Sequence, residues 1–205
     1  MSACAPIGGR FGSTPLSSFF QQAIVDARTG APRALSSLFA ERPVVLLFLR
    51  RLGCALCRTA ALEYAEARAD ITARGADVVA LSFEALGTGS DADGSFEAKG
   101  YWPGPLYTIA PDVYDELFGR KTLFSGLYGA LDVSRAKIAA AKARGVTGNL
   151  VGDGLLLGGA FVVDKGGKVL VDHRSRFFGD DLRVDDIVVA LEAREAGAAA
   201  STSAS

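Results

Sequence analysis

Val44-Val45-Leu46-Leu47-Phe48-Leu49-Arg50-Arg51-Leu52-Gly53-Cys54-Ala55-Leu56-Cys57-Arg58 is the stretch that decides how this chain folds. It begins with an unbroken apolar run, part of it β-branched or aromatic. A strand reads this way when both of its faces are covered, as in a sheet with helices on each side. Arg42-Pro43 precedes the run, and proline suits the first residue of a strand. Two arginines and a glycine end it, and a Cys-x-x-Cys follows at once. Leu56, Ala60, Ala67 and Ile71 then recur at helical spacing over residues 54–74, with Glu63, Glu66, Arg68 and Arg74 mostly elsewhere on the wheel. Gly75 is a good stop. The order is buried strand, tight turn, and a helix carrying a dithiol at its N-terminus.

That position matters chemically because the thiolate, not the thiol, is the nucleophile. The first N–H groups of a helix lack intrahelical partners, and the helix dipole is positive there. Both favour a thiolate at Cys54, in the cap or first turn. Cys57 lies three residues on, one turn deeper on the same face. The spacing assigns Cys54 as nucleophile and Cys57 as resolving thiol. Arg50, Arg51 and Arg58 add positive charge nearby, and Gly53 supplies the turn. Strand alternation keeps Arg50 and Arg51 from both facing the sulfurs. Two alternatives stand beside this reading. Half a zinc site would need two more ligands, and the remaining candidates are Cys4 and the single histidine, His173. Two inert buried cysteines are the other.

Outward from the dithiol the chain reads as an α/β domain. Ala23–Gly30 is a short strand entering a turn, and Leu35–Phe39 one helical turn. Ala76–Phe83 is a second buried strand, which completes a βαβ unit. Ser95–Lys99 holds a short helix, Leu106–Ala110 a third strand, and Pro111 opens a helix to about Phe118. Gly119 to Gly159 is an excursion containing a helix over Val133–Arg144, whose Arg135, Lys137, Lys142 and Arg144 form a solvated face. Ala160–Asp164 and Lys168–His173 form a β-hairpin around Lys165-Gly166-Gly167. Asp185–Ala193 is a final helix. A central βαβ with a ββα ending is the thioredoxin arrangement: a mixed central sheet flanked by helices, here with an N-terminal strand and a mid-chain helical insertion. Residues 1–20 read as a flexible N-terminus, 21–194 as the domain and 195–205 as a disordered tail.

The bulk numbers agree. The 205 residues suffice for one well-buried domain with extensions. A net charge of −1 disfavours nucleic acid as a partner, and no apolar stretch nears the roughly 20 residues that span a bilayer. Three cysteines, two of them clustered, suit a reducing compartment, hence the cytoplasm. The first 20 residues have no acidic group, several serines and Arg10, so an organelle-targeting segment is the alternative. Gly152–Gly159 precedes a strand instead of opening a helix, so it fails as a dinucleotide loop. His173 reads as structural, and Tyr101, Trp102 and Tyr107 as core or rim.

Phe48 through Arg58 resembles the signature of the peroxiredoxin-like 2 family. That family includes the prostamide/prostaglandin F synthases and belongs to the alkyl hydroperoxide reductase/thiol-specific antioxidant group. Gly100–Tyr107, Gly152–Val163, Val171–Arg174 and Gly179-Asp180 extend the resemblance over roughly residues 22–193. It implies a thioredoxin-like fold and an antioxidant or redox-regulatory oxidoreductase using Cys54 and Cys57. The implied substrate is a small or lipid-derived peroxide or endoperoxide. A thioredoxin-type partner is the implied reductant. No cofactor is tightly bound, and NADPH is the direct or indirect hydrogen donor. Aligned with ordinary peroxiredoxins, Cys57 takes the place of the peroxidatic cysteine and Cys54 that of a threonine, so the reversed order of attack stands as the second assignment. Generic disulfide reduction on proteins and a non-catalytic redox sensor are the other readings. Where thioredoxins carry a cis-proline this chain has Gly158-Gly159-Ala160, which is expected to leave more room beside the sulfurs.

Overall fold

The computed structural model describes residues 16–119 and 131–203. Its centre is a seven-stranded mixed sheet of strands β1 (Ala23–Asp26), β2 (Pro32–Ala34), β3 (Val44–Leu49), β4 (Asp77–Ser82), β5 (Leu106–Thr108), β6 (Gly159–Val163) and β7 (Val169–Arg174), in the order β2-β1-β5-β4-β3-β6-β7. β3 pairs parallel with β4 and antiparallel with β6, so the strand that leads to the dithiol is central. Helix α1 spans Leu16–Phe19, α2 Ala55–Ala73, α3 Ser95–Ala98, α4 Pro111–Phe118, α5 Leu131–Ala143 and α6 Val184–Ser203.

The apolar run of β3 is covered on both faces, as its composition requires. Val45, Leu47 and Leu49 meet Ala61, Tyr64 and Ile71 of α2 and Ile187 and Leu191 of α6. Val44, Leu46 and Phe48 face the other way, toward Phe19, Tyr114 and Phe118. Rings dominate this second layer: Phe48 lies 4.9 Å from Phe118 and 5.5 Å from Phe161, centroid to centroid. Tyr101, Trp102 and Tyr107 are buried, and the Trp102 indole donates to the Pro105 carbonyl.

Three expectations change. β2 goes unread in the sequence because Pro32-Arg33-Ala34 lacks strand-forming residues. It exists through pairing with β1 at the sheet edge, where proline is tolerated. Phe19 and Phe20, assigned to a flexible N-terminus, are buried against Phe48 and Phe39, so the domain starts before residue 21; residues 1–15 of that assignment lie outside the described residues. The last helix continues through the predicted tail to Ser203, because alanine is the strongest helix former and extends a helix already anchored by Ile187 and Leu191. Among the described residues, no helix is long and apolar enough to cross a membrane.

Candidate active site

Cys54 is the N-cap of α2, with extended backbone angles, and the helix begins at Ala55. Cys57 sits in the first turn. Both thiols are free and nearly buried, at 5% and 7% exposure. Cys4 lies outside the described residues.

The turn before Cys54 is held by a buried polar frame. The Leu52 N–H donates to the Glu84 carboxylate at 2.9 Å and the Gly53 N–H to Ser90 Oγ at 2.7 Å. Ser90 Oγ donates in turn to Glu84. Asn149 donates from its backbone to the Gly53 carbonyl and from its side chain to the Ser90 carbonyl, both at 2.8 Å. A Cβ at position 53 would stand 2.2 Å from the Ser90 carbonyl oxygen, so the close approach itself demands glycine.

The three arginines part company. Arg50 directs Nη2 at the Cys54 sulfur at 3.1 Å and Nη1 at the Gly154 carbonyl at 3.3 Å, with its guanidinium 4.2 Å from the centroid of Phe178. Arg51 turns away to the Val151 carbonyl at 2.7 Å, while its buried Nε finds no partner. Alternation along the chain therefore gives one arginine, not two, a hydrogen bond to a sulfur. Arg58, expected to charge the thiols, does something else. It donates to the Leu52 carbonyl at 2.7 Å, the Thr147 carbonyl at 2.9 Å and Ser95 Oγ at 2.5 Å, and pairs with buried Asp91 at 3.5 Å. Pointing away from the sulfurs on a helix face, it ties the turn to three neighbouring segments.

The sulfurs are electrostatically unequal. The Cys57 S–H donates to Cys54 and is the largest influence holding the Cys54 thiol down, to about 4. Burial opposes this, and the Arg50 charge, the Cys57 backbone N–H and the Arg51 charge reinforce it. The amide acts as a dipole here, since the sulfur closes no regular cap hydrogen bond. The same sulfur–sulfur hydrogen bond, together with burial, pushes the Cys57 thiol well up. The two directions favour charge on Cys54 and oppose it on Cys57.

The two sulfurs also face different spaces. Cys54 lies on an outer, largely apolar cavity of about 420 Å³ walled by Arg50, Arg51, Ile138, Leu150 and Phe178. Leu150 is 92% exposed at its mouth. Cys57 lies on an inner cavity of about 30 Å³ beside Tyr64, Ser175 and Asp181, enough for about one or two waters.

Gly158 and Gly159 line the small inner cavity beside Cys57 and not the outer one at Cys54. A Cβ at 158 would stand 2.5 Å from the Phe48 carbonyl oxygen, and one at 159 would stand 2.3 Å from that of His173. They let β6 close tightly on its neighbours. His173 is tied at Nε2 to the Asp180 carbonyl at 2.8 Å, a structural bond. Lys137 and Arg144, read as solvated, reach Asp181 at 2.7 Å and Glu66 at 2.6 Å.

Sequence reasoning missed Phe178, Glu84, Ser90 and Asn149. The pattern Phe177-Phe178-Gly179-Asp180 ends in a pair quoted for the family resemblance, so Phe178 had a signal beside it. The others are polar loop residues whose roles depend on distant backbone.

The chain is similar to known proteins over most of its length. The family model for AhpC/TSA antioxidant enzymes matches residues 64–176, a stretch that begins after both cysteines. The prostamide/prostaglandin F synthase of Salmo salar is 37% identical over 168 residues, 80% of this chain and 82% of that protein. The human protein of the same name is 37% identical over 169 residues, covering 80% and 83%. Among solved structures, peroxidoxin BcpB from Mycobacterium tuberculosis superposes with a TM-score of 0.52 at 21% identity, covering 83% of this chain and 91% of that one. AhpC of Enterococcus faecalis gives 0.54 at 15% identity, covering 86% and 88%. These structural likenesses carry the fold, which is thioredoxin-like as the element order implied.

Proposed function

The chain belongs to the AhpC/TSA antioxidant enzyme family, and on that premise we propose that it is a thiol-dependent oxidoreductase that reduces a peroxide or endoperoxide through a Cys54/Cys57 dithiol cycle. The observation that carries this is the asymmetry of the pair. Cys54 is the sulfur that combines a lowered pKa, a hydrogen bond from Arg50 and a wall of the large outer cavity.

In the proposed reaction the Cys54 thiolate attacks one peroxide oxygen. The O–O bond breaks, the sulfur is oxidised, and the departing oxygen leaves as an alkoxide that takes up a proton. A hydroperoxide whose terminal oxygen is attacked leaves a sulfenic acid on Cys54. A cyclic endoperoxide leaves a sulfenate ester. Cys57 then loses its proton and attacks the Cys54 sulfur, forming the disulfide and releasing water or the second hydroxyl group. The net change is dithiol plus peroxide to disulfide plus two O–H products. An external thioredoxin-type dithiol returns two electrons and two protons by thiol–disulfide exchange. NADPH is the proposed ultimate hydrogen donor. A reducing compartment, the cytoplasm, suits an enzyme whose disulfide must be reduced after each turnover.

The apolar outer cavity and exposed Leu150 favour an organic substrate, lipid-derived, over hydrogen peroxide alone. The prostamide/prostaglandin F synthase name of the relatives favours a cyclic endoperoxide within that class. The test is single-turnover oxidation of the reduced protein by hydrogen peroxide, an alkyl hydroperoxide and a cyclic endoperoxide, followed by thiol trapping and mass mapping. Cys54 is expected to be oxidised first, fastest with an organic substrate. If Cys54→Ser and Cys57→Ser each leave peroxide reduction unchanged, the reading is wrong.

A further inference from the structure

We propose that Phe178 is the positioning residue that holds Arg50 on the Cys54 sulfur. This rests on the reading of Cys54 as the nucleophile and adds a part of the machinery that lies on a different element, the loop between β7 and α6.

Arg50 is buried, at 8% exposure, yet its link to the Gly154 carbonyl is long for an N–H···O bond, at 3.3 Å. One long bond and one bond to a sulfur hold the guanidinium plane only loosely. The Phe178 ring fixes that plane. Its centroid lies 4.2 Å from the guanidinium carbon, the shortest such approach among the described residues. A flat, weakly hydrated guanidinium suits this stacking, and desolvation strengthens it. With the ring on one face, Nη2 lies 3.1 Å from the Cys54 sulfur, while the Arg50 charge is felt at Cys57 as well.

Phe178 is itself fastened. Its carbonyl accepts from Ser134 Oγ of α5 at 2.5 Å. Gly179, at φ +88°, turns the chain beneath Lys137, where a Cβ would stand 3.1 Å from the Lys137 side chain. Lys137 then clasps Asp181 at 2.7 Å. The ring also walls both the outer cavity at Cys54 and the inner cavity at Cys57. α5 thereby reaches Cys54 through the loop, Phe178 and Arg50.

The test follows alkylation of Cys54 by iodoacetamide against pH, with mass mapping, in the full reduced chain. It needs no substrate. Phe178→Leu, which keeps the apolar wall and removes the π face, is expected to move the Cys54 midpoint up by about 1 in pH, a tenfold loss of thiolate below it. Phe178→Tyr restores the wild-type midpoint. In an Arg50→Met background Phe178→Leu adds nothing, because the partner it positions is gone. Phe178→Met takes the place of leucine if that variant fails to fold by circular dichroism. A low wild-type midpoint left unmoved by Phe178→Leu overturns the positioning role alone. So does a Phe178→Leu shift that persists without Arg50. An ordinary thiol midpoint in the wild type overturns the nucleophile reading itself, and the positioning role with it.

Discussion

Replacing Arg58 by leucine removes the strut beneath the dithiol turn without touching either sulfur. Arg58 is 2% exposed and its partner Asp91 is fully buried. The substitution strips donors from the Leu52 and Thr147 carbonyls and from Ser95 Oγ. Hydrogen bonds from a charged group contribute about 1.5–3 kcal/mol each, and removing one partner of a buried ion pair costs about 3–5 kcal/mol. Asp91 keeps the N–H groups of Phe96 and Gly87, which limits its penalty, and the leucine recovers some apolar packing. The net expectation is a loss of about 4 kcal/mol, a large part of the roughly 5–15 kcal/mol that holds a domain together. With an m-value of about 3 kcal/mol/M, the urea midpoint falls by about 1.3 M. Trp102, the single tryptophan and nearly fully buried, reports the unfolding by fluorescence. The Cys54 alkylation midpoint should move by less than about 0.5 in pH, well under one pKa step, because Glu84, Ser90 and Asn149 still hold the turn. A stability loss below about 1 kcal/mol would sink the strut argument. A large upward move of the thiol midpoint in a folded variant would restore Arg58 to the role the sequence suggested, a charge acting on the sulfur.

Cys57→Ala removes the S–H donor that does most to lower Cys54, so the Cys54 midpoint should rise by about 1–2 in pH, while Cys57→Ser, which keeps an O–H donor, should shift it less; the same alkylation profile checks both. Because the folded Cys54 pKa lies below the unfolded one, its contribution to stability is full above the ordinary thiol range near 9, shrinks as pH falls, and is gone below about 4. Reduced wild type should therefore lose its stability advantage over Cys54→Ser across that window, read by thermal melting at fixed ionic strength. Gly53→Ala drives a methyl into the Ser90 carbonyl and should cost about 1–3 kcal/mol or more by urea unfolding. Leu150→Lys, at an exposed site on the outer cavity, should leave stability within about 0.5 kcal/mol while raising KM for an organic peroxide more than for hydrogen peroxide.

The frame of this protein was legible in its sequence because it depends on local order. The apolar run Val44–Leu49 could be satisfied only between two covered faces, and Cys54 and Cys57 could stand only at the start of the following helix. The hairpin at Lys165-Gly166-Gly167 was equally local. Where pairing supplied what composition lacked, as in β2, the sequence was silent. The late helix was read over Asp185–Ala193, and only its extension to Ser203 was missed, for a different reason. Its later alanines carry no apolar face of their own and read as a tail; they continue a helix anchored upstream by the buried Ile187 and Leu191.

The site divides along the same line. Sequence alone determined that a dithiol follows two arginines and a glycine, and chain alternation determined that those arginines diverge. Tertiary structure supplied what favours charge on Cys54, the sulfur the helix start had already singled out: the S–H of Cys57, the reach of Arg50 and the two unequal cavities. It also turned Arg58 from a charge into a strut, and placed Phe178, more than a hundred residues along the chain, against Arg50. The physical reason is the range of the forces. Helix ends, turns and strand periodicity act over a few residues, whereas hydrogen bonding to a buried charge, stacking and desolvation depend on which distant segments the fold brings within a few ångströms of one sulfur.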